Sequence, residues 1–246
     1  MKIIGIIPSR YKSSRFEGKP LADILGRPMV WWVYQQAIKV KELDEVIVAT
    51  DDERIFDVCK KYDMNAIMTS VNNETPTDRI YEVSNRIKAD YYISINGDEP
   101  LIKPEIIEAI IPENKKKECY VANIMTTISD PVQAMDPTNL KIVTNENGDG
   151  VYISRAPIPF PKGSMEFKYK KHVGVYAFDK EALDMYHNTE RGQLERIEDI
   201  DLLRYIEHGV PINFIDKDCD TLSVDTKKDL EKIVNYLKQK GIKIYE

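Results

Sequence analysis

The strongest constraint on the fold is an alternation of short β-rich apolar runs with longer stretches of helical periodicity through the first hundred residues. Apolar runs at 3–7, 46–49, 66–68 and 91–95 alternate with helical patterns at 28–40, 53–61 and 78–88. Such alternation predicts an α/β fold, a mostly parallel sheet flanked by helices. Pro28 suits the first turn of its helix, from which Met29, Trp32, Val33, Gln36 and Ala37 repeat at helical spacing. Trp31 and Trp32 read as packing residues there. Ligands of an open sheet bind outside the carboxyl ends of its strands. The loops at Pro8, Thr50, Ser70 and Gly97 are therefore expected on one rim.

After residue 115 the pattern changes. Runs at 121–127, 140–144 and 151–154 are strand-like, and Asn147, Gly148, Asp149 and Gly150 form a turn between the last two, so a hairpin is expected. Pro157, Pro159 and Pro161 interrupt regular structure, and 162–171 is a charged connector. A strand at 172–178 and helices at 180–187, 193–208 and 227–240 complete the chain. With 246 residues and 42% apolar content, one main domain over 1–246 with a smaller excursion is expected.

Charge excludes one class of partner. The net charge of -6 leaves no basic footprint for a nucleic-acid backbone. An anionic substrate would need local cations, and Arg10, Lys12, Arg15 and Lys19 supply them in the loop after the first apolar run. The first residues read as a buried strand, not a signal peptide, and no apolar run approaches membrane-spanning length. Cys59, Cys119 and Cys219 are far apart and outside any CxxC pair, which fits reduced thiols in a cytoplasmic protein.

Three stretches can carry chemistry. The loop from Pro8 to Pro20 combines cations, serines and Gly18 at a carboxyl-end position, a composition suited to phosphate groups and equally to a solvated basic turn. It has neither P-loop spacing nor the dinucleotide glycine triplet. Asp98, beside Gly97, and Asp225, after the strand-like 222–224, are hard oxygen donors suited to magnesium; capping of a turn and of the last helix competes for them. Thr75-Pro-Thr-Asp-Arg79 begins a helix, where amides and Arg79 could read a base edge, or where Thr75 or Thr77 simply caps.

The loop, Pro8-Ser-Arg-Tyr-Lys-Ser-Ser-Arg-Phe-Glu-Gly-Lys-Pro-Leu21, resembles the PARYxSxRxPGKPL signature of the 3-deoxy-manno-octulosonate (Kdo) cytidylyltransferases. Matches follow in the family's order at Ala49 to Arg54, Thr77-Asp-Arg79, Gly97-Asp-Glu-Pro100, Ser154 to Pro159, His172-Val-Gly-Val-Tyr176, Leu194 to Glu198 and Val224-Asp-Thr226. Together they span nearly the whole chain. The resemblance implies a nucleotide-diphospho-sugar transferase-like, Rossmann-like domain with a hairpin or dimerisation excursion within 120–172. It also implies a cytoplasmic homodimer that uses CTP and Mg2+ and binds neither nucleic acid nor membrane.

By the same resemblance, Arg10, Lys19, Asp98 and Asp225 are catalytic, with Asp98 and Asp225 holding the metal. Pro8, Arg10, Ser13, Arg15, Lys19, Thr77, Arg79 and Asp98 are expected on CTP. Asn96, Tyr152, Arg155, His172, Tyr176, Glu195 and Asp201 are expected on the acceptor, Kdo or an amino or other modified analogue. The chain departs from the family where Pro76 replaces Gly, Asn96 replaces Gln, Asp201 replaces Glu and Leu202 replaces Gln. Glu195, Glu198 and Leu202 are expected on one face of a helix. Loss of amides that hold hydroxyls would change which acceptor fits, leaving a sialic-type sugar or a phosphonate as alternatives. A nucleotide-binding domain without activity is the reading from another class.

Overall fold

The structure, a computed structural model, describes residues 1–13, 16–115, 119–163, 166–219 and 222–242. In chain order the elements are β1 (Ile3–Ser9), a single 3-10 turn (Lys19–Leu21), β2 (Asp23–Ile24), β3 (Arg27–Pro28), α1 (Met29–Ala37), β4 (Glu45–Thr50), α2 (Glu53–Lys61), β5 (Ala66–Met68), α3 (Pro76–Arg86) and β6 (Tyr91–Ile95). They continue with α4 (Pro104–Glu108), β7 (Val121–Thr127), α5 (Pro131–Met135), β8 (Lys141–Thr144), β9 (Gly150–Ser154), β10 (Lys170–Phe178), α6 (Lys180–Asn188), α7 (Gln193–Glu198), α8 (Leu203–Glu207), β11 (Ile212–Asp216) and α9 (Lys227–Gln239).

The main sheet runs β11-β7-β10-β6-β1-β4-β5. β6, β1, β4 and β5 are parallel neighbours, β10 is antiparallel to both β6 and β7, and β11 runs parallel to β7. Central parallel strands are covered on both faces, and their sequences show it: Ile3, Ile4, Ile6 and Ile7 are all buried although they alternate sides. One face packs Ile3, Ile7 and Val48 against Val30, Val33 and Ala37 of α1 and Ile55 of α2. The other packs Ile4, Ile6 and Ile47 against Ile80 and Val83 of α3 and Leu183 of α6.

The expected hairpin is β8–β9, which extends from the end of β10 through Lys170 and Lys171. Several elements differ from the sequence reading: α1 ends at Ala37, and β10 begins at Lys170, inside the expected connector. Pro28 lies in β3 and stands at the N-cap of α1, one residue before the helix. The helix expected from 78 begins at Pro76, because Thr75 forms a capping box with Asp78. The helix expected over 193–208 is two short helices, broken where Asp199 takes a left-handed conformation at φ 52. Glu195 and Leu202 therefore do not share a helical face. Residues 222–224 form no strand.

That last segment is held by packing instead. Val224 is fully buried in a third cluster with Ile24, Leu25, Met29 and Trp32, together with Ile233 and Leu237 of α9. Its amide donates to the Asp98 carbonyl at 2.9 Å. The chain's late segment is thereby fixed beside the loop after β6.

Candidate active site

The four loops expected on one rim meet there, because β1, β4, β5 and β6 run parallel and end on the same side. A cavity of about 190 Å3 opens among them, lined by Pro8, Ser9, Arg10, Ser13, Lys19, Thr75, Pro76, Arg79, Asn96, Gly97 and Asp98, among others. Gly97 packs closely on β1: a Cβ there would lie 3.4 Å from the Pro8 carbonyl and from Ser9 Oγ, in van der Waals contact with both. Gly18, at φ 69, turns the chain into Lys19.

Lys19 is the hub. Its Nζ donates to Asp98 Oδ2 at 2.7 Å and to the Val224 carbonyl at 3.0 Å, and lies 3.8 Å from Asp225 Oδ1. Two carboxylates from opposite ends of the chain thus converge on one ammonium. The capping alternative for Asp225 fails, since Thr226 caps α9 in a capping box with Asp229. Hard oxygens gathered around one cationic point are the donor set a divalent metal takes, with remaining positions for phosphate oxygens and water. Among the described residues no group of three or more His, Cys, Asp or Glu forms a complete protein cage. The donor set therefore fits a metal shared with a phosphorylated ligand.

On the other side of the cavity, Arg79 is buried and already engaged. Its guanidinium donates to Asp51 Oδ2 at 2.9 Å and to the Thr69 hydroxyl, which makes it a wall of the cavity. Thr77 turns away from the cavity, and its hydroxyl donates to Asp201 at 2.7 Å. Ser13 and Arg10 lie at the cavity, Arg10 exposed at its mouth. Arg15 lies outside the described residues.

A smaller cavity of about 60 Å3 adjoins the first through the shared Pro76 and Asn96, and gathers Thr77, Tyr176, Asp201 and Leu202. Burial raises the Asp201 carboxyl above the ordinary carboxylate range and raises Tyr176 well above the usual phenol value. Both groups are therefore positioned as hydrogen-bonding partners in a water-poor pocket. Of the residues expected on an acceptor, the structure brings together Asn96, Tyr176 and Asp201.

It does not bring Glu195, Arg155 or Tyr152 there, and His172 stands beside the pocket, its ring centre 6.5 Å from that of Tyr176. Both oxygens of Glu195, which is fully buried, accept from Arg204 at 2.6 and 2.8 Å, and Arg191 adds a third contact at 3.1 Å. The Arg155 guanidinium donates to the carbonyls of Glu198, Asp199 and Pro137, and Tyr152 reaches Glu198 at 3.5 Å. These two tie the hairpin to the break after α7. His172 sits on β10 where the ladder to β7 is bulged, and Asn123 fills the bulge by donating to the carbonyls of Val173 and Val175 at 2.8 Å each. Solvent reaches part of His172, but its Nδ1 is buried with no hydrogen-bond partner among the described residues, and burial pushes its pKa down to about 4. The ring is neutral at pH 7.

Glu99 is a residue that motif reading passed over. It is buried beside Asp98, its Oε1 accepts the Gly174 amide at 2.8 Å, and burial, then the Asp98 charge, push its pKa up to about 7. A Cβ on Gly174 would lie 2.7 Å from both Glu99 and Asn96. Glu99 thus locks the turn that carries Asn96, Gly97 and Asp98 against β10. Its place inside Gly-Asp-Glu-Pro was visible; the Gly174 partner, 75 residues on, was not.

A cationic loop and two convergent carboxylates at the rim of parallel strands define an α/β nucleotide-binding transferase. The family model described as "Cytidylyltransferase" matches residues 4–242. A 3-deoxy-manno-octulosonate cytidylyltransferase of Fusobacterium nucleatum is 39% identical over 99% of this chain and 100% of its own length. The enzyme of that name in Escherichia coli is 38% identical over 94% of each chain. The solved structure of CMP:2-keto-3-deoxy-manno-octonic acid synthetase complexed with CTP superposes with a TM-score of 0.90, at 36% identity, covering 98% of this chain and 100% of that one. The chain belongs to the cytidylyltransferase family. It is a CTP-dependent nucleotidyltransferase, and among the described residues no helix is long and apolar enough to cross a membrane.

Proposed function

We propose that the protein transfers CMP from CTP to a hydroxyl of Kdo or a Kdo-like acidic sugar and releases pyrophosphate, working as a cytoplasmic homodimer with Mg2+ held by Asp98 and Asp225. The observation that carries this reading is the meeting of Asp98 and Asp225 at Lys19, beside the cavity that Lys19 and Asp98 line. The names of the full-length relatives support the acceptor class.

Such a displacement at phosphorus depends on alignment and charge neutralisation. Arg10 and Lys19 bind the triphosphate, with Lys19 exchanging its carboxylate partners for phosphate oxygens as substrate enters. Asp98 and Asp225 would hold Mg2+ beside the phosphate and the attacking hydroxyl. Bound Mg2+ would neutralise charge on the phosphate and acidify the attacking hydroxyl. Asn96, Tyr176 and Asp201, which line the smaller cavity together, hold the acceptor.

Pyrophosphate release from CTP over a panel of Kdo, amino-Kdo, sialic acid and phosphonate acceptors tests the proposal. Turnover with Kdo is the expected result; no turnover with Kdo removes the narrow version. Pro76, Asn96 and Leu202 in the smaller cavity favour the second reading, another carboxylated or phosphonate acceptor, if Kdo fails.

A further inference from the structure

We infer that Arg54 is a positioning residue for CTP: with Asp52 it clamps the Tyr11 ring and so fixes the Gly18 turn that presents Lys19. Three observations converge on this arrangement. The Arg54 guanidinium lies 3.2 Å from the centre of the Tyr11 ring. Asp52 grips the same guanidinium in a two-pronged ion pair, with Nε to Oδ1 at 2.9 Å and NH2 to Oδ2 at 2.7 Å, while also capping α2 through the Arg54 amide. On the ring's other contact, the Tyr11 carbonyl accepts the Gly18 amide at 2.9 Å, and Gly18 is so close to the ring that an added Cβ would lie 3.2 Å from it.

The result is a continuous physical chain from the end of β4 to the residue before Lys19. Asp52 is fixed by the cap, Arg54 by Asp52, Tyr11 by Arg54, and the Gly18 turn by Tyr11. Tyr11 and Gly18 are therefore tied to each other before any ligand arrives. Asp51, the neighbouring acid, performs the matching task on the opposite wall by holding Arg79. Two successive acids after one strand thus each fix an arginine beside the nucleotide cavity. A guanidinium over an aromatic face is attracted by the ring quadrupole, and preorganising a loop raises affinity by removing the cost of ordering it on binding.

This inference rests on the reading of the loop as the CTP triphosphate site, and the experiment separates the two. CTP affinity is measured by calorimetry without acceptor, and KM and kcat with acceptor, for wild type, Arg54→Ala, Arg54→Lys, Tyr11→Leu and the Arg54→Ala/Tyr11→Leu pair. An exposed cation–ring contact predicts a two- to fivefold weaker Kd and a matching rise in KM for CTP in Arg54→Ala, on the order of what such contacts contribute, with kcat within twofold. Arg54→Lys, which keeps a cation over the ring but loses the fork, recovers part of the loss. The double variant binds no more weakly than the weaker of the two single variants. Unchanged CTP affinity in Arg54→Ala, additive losses in the pair, or a fall in kcat and thermal stability without a change in Kd each overturn the clamp. Wild-type protein that binds no CTP overturns the nucleotide reading and the clamp with it.

Discussion

The proposed nucleotide half and the proposed acceptor half of the site are built on different principles. The nucleotide half hangs from the ends of β1, β4 and β6, and most of its groups lie within a few residues of a strand end. The acceptor half is assembled from the N-terminus of α3, the middle of β10 and the break between α7 and α8, elements far apart in sequence. In both halves most polar side chains have partners within the protein, but the first opens on a cavity of about 190 Å3 and the second on one of about 60 Å3. The lesson is that strand-end loops advertise their chemistry locally. A pocket made by packing distant elements does not.

The sharpest test of that contrast removes one of the two carboxylates that meet at Lys19. Asp98→Ala, and separately Asp225→Ala, are expected to cut kcat by about a thousandfold or more while leaving the fold intact, as measured by pyrophosphate release and circular dichroism. Next in size is Glu195→Ala, which leaves the Arg204 cation buried without its partner. It should destabilise the protein by about 3–5 kcal/mol in urea unfolding, as breaking a buried pair does, while the KM for acceptor in the surviving folded protein stays near wild type. A large rise in that KM without a stability loss would move Glu195 from scaffold to pocket.

Protonation gives a third test. The folded-state pKa of His172 is depressed from 6.5 to about 4, so the unfolded chain binds the extra proton first as pH falls through this window. Stability from His172 is present above about 6.5 and is lost as pH drops toward 4, by up to about 3 kcal/mol. Glu99 works with the opposite sign: its pKa is raised from 4.5 to about 7, so its burial disfavours the folded state increasingly as pH rises through that range. The difference between wild type and His172→Asn isolates the histidine: the variant should lose less stability between pH 6.5 and 4 in denaturant titrations. Parallel curves would show that His172 is not buried as a neutral ring. The smallest effect is expected from Asp201→Asn, which keeps the size of the group but not its charge. A rise of about tenfold in KM for acceptor with KM for CTP unchanged is predicted, and equal changes in both would blur the two halves.

Much of the first half was legible. Pro8, Arg10, Ser13, Lys19, Arg79 and Asp98 all line the same cavity, because a carboxyl-end loop in a parallel sheet has only one rim to occupy. Even here, sequence could not tell that Arg79 is held by Asp51, since only the register of β4 beside β5 and α3 brings those two together. In the second half Asn96, Tyr176 and Asp201 were placed together by motif, but Glu195, Tyr152 and Arg155 were not distinguishable from them. Continuous helical spacing from 193 to 208 concealed the left-handed Asp199, a local break that tertiary packing imposes against the sequence pattern.

The sequence by itself determined the alternating α/β order, the cationic loop and the two acids, because periodicity and strand-end chemistry are local properties of a chain. Only the tertiary structure decided which acid meets which cation. Asp98 and Asp225, more than a hundred residues apart, face one ammonium because Val224 is buried under α1 and α9 and hydrogen-bonded to the Asp98 carbonyl. Glu195 was removed from the pocket by a partner nine residues away across a helix break. Long-range packing fixes such choices, since the free energy of burying a charge depends on what stands opposite it and not on its neighbours in sequence.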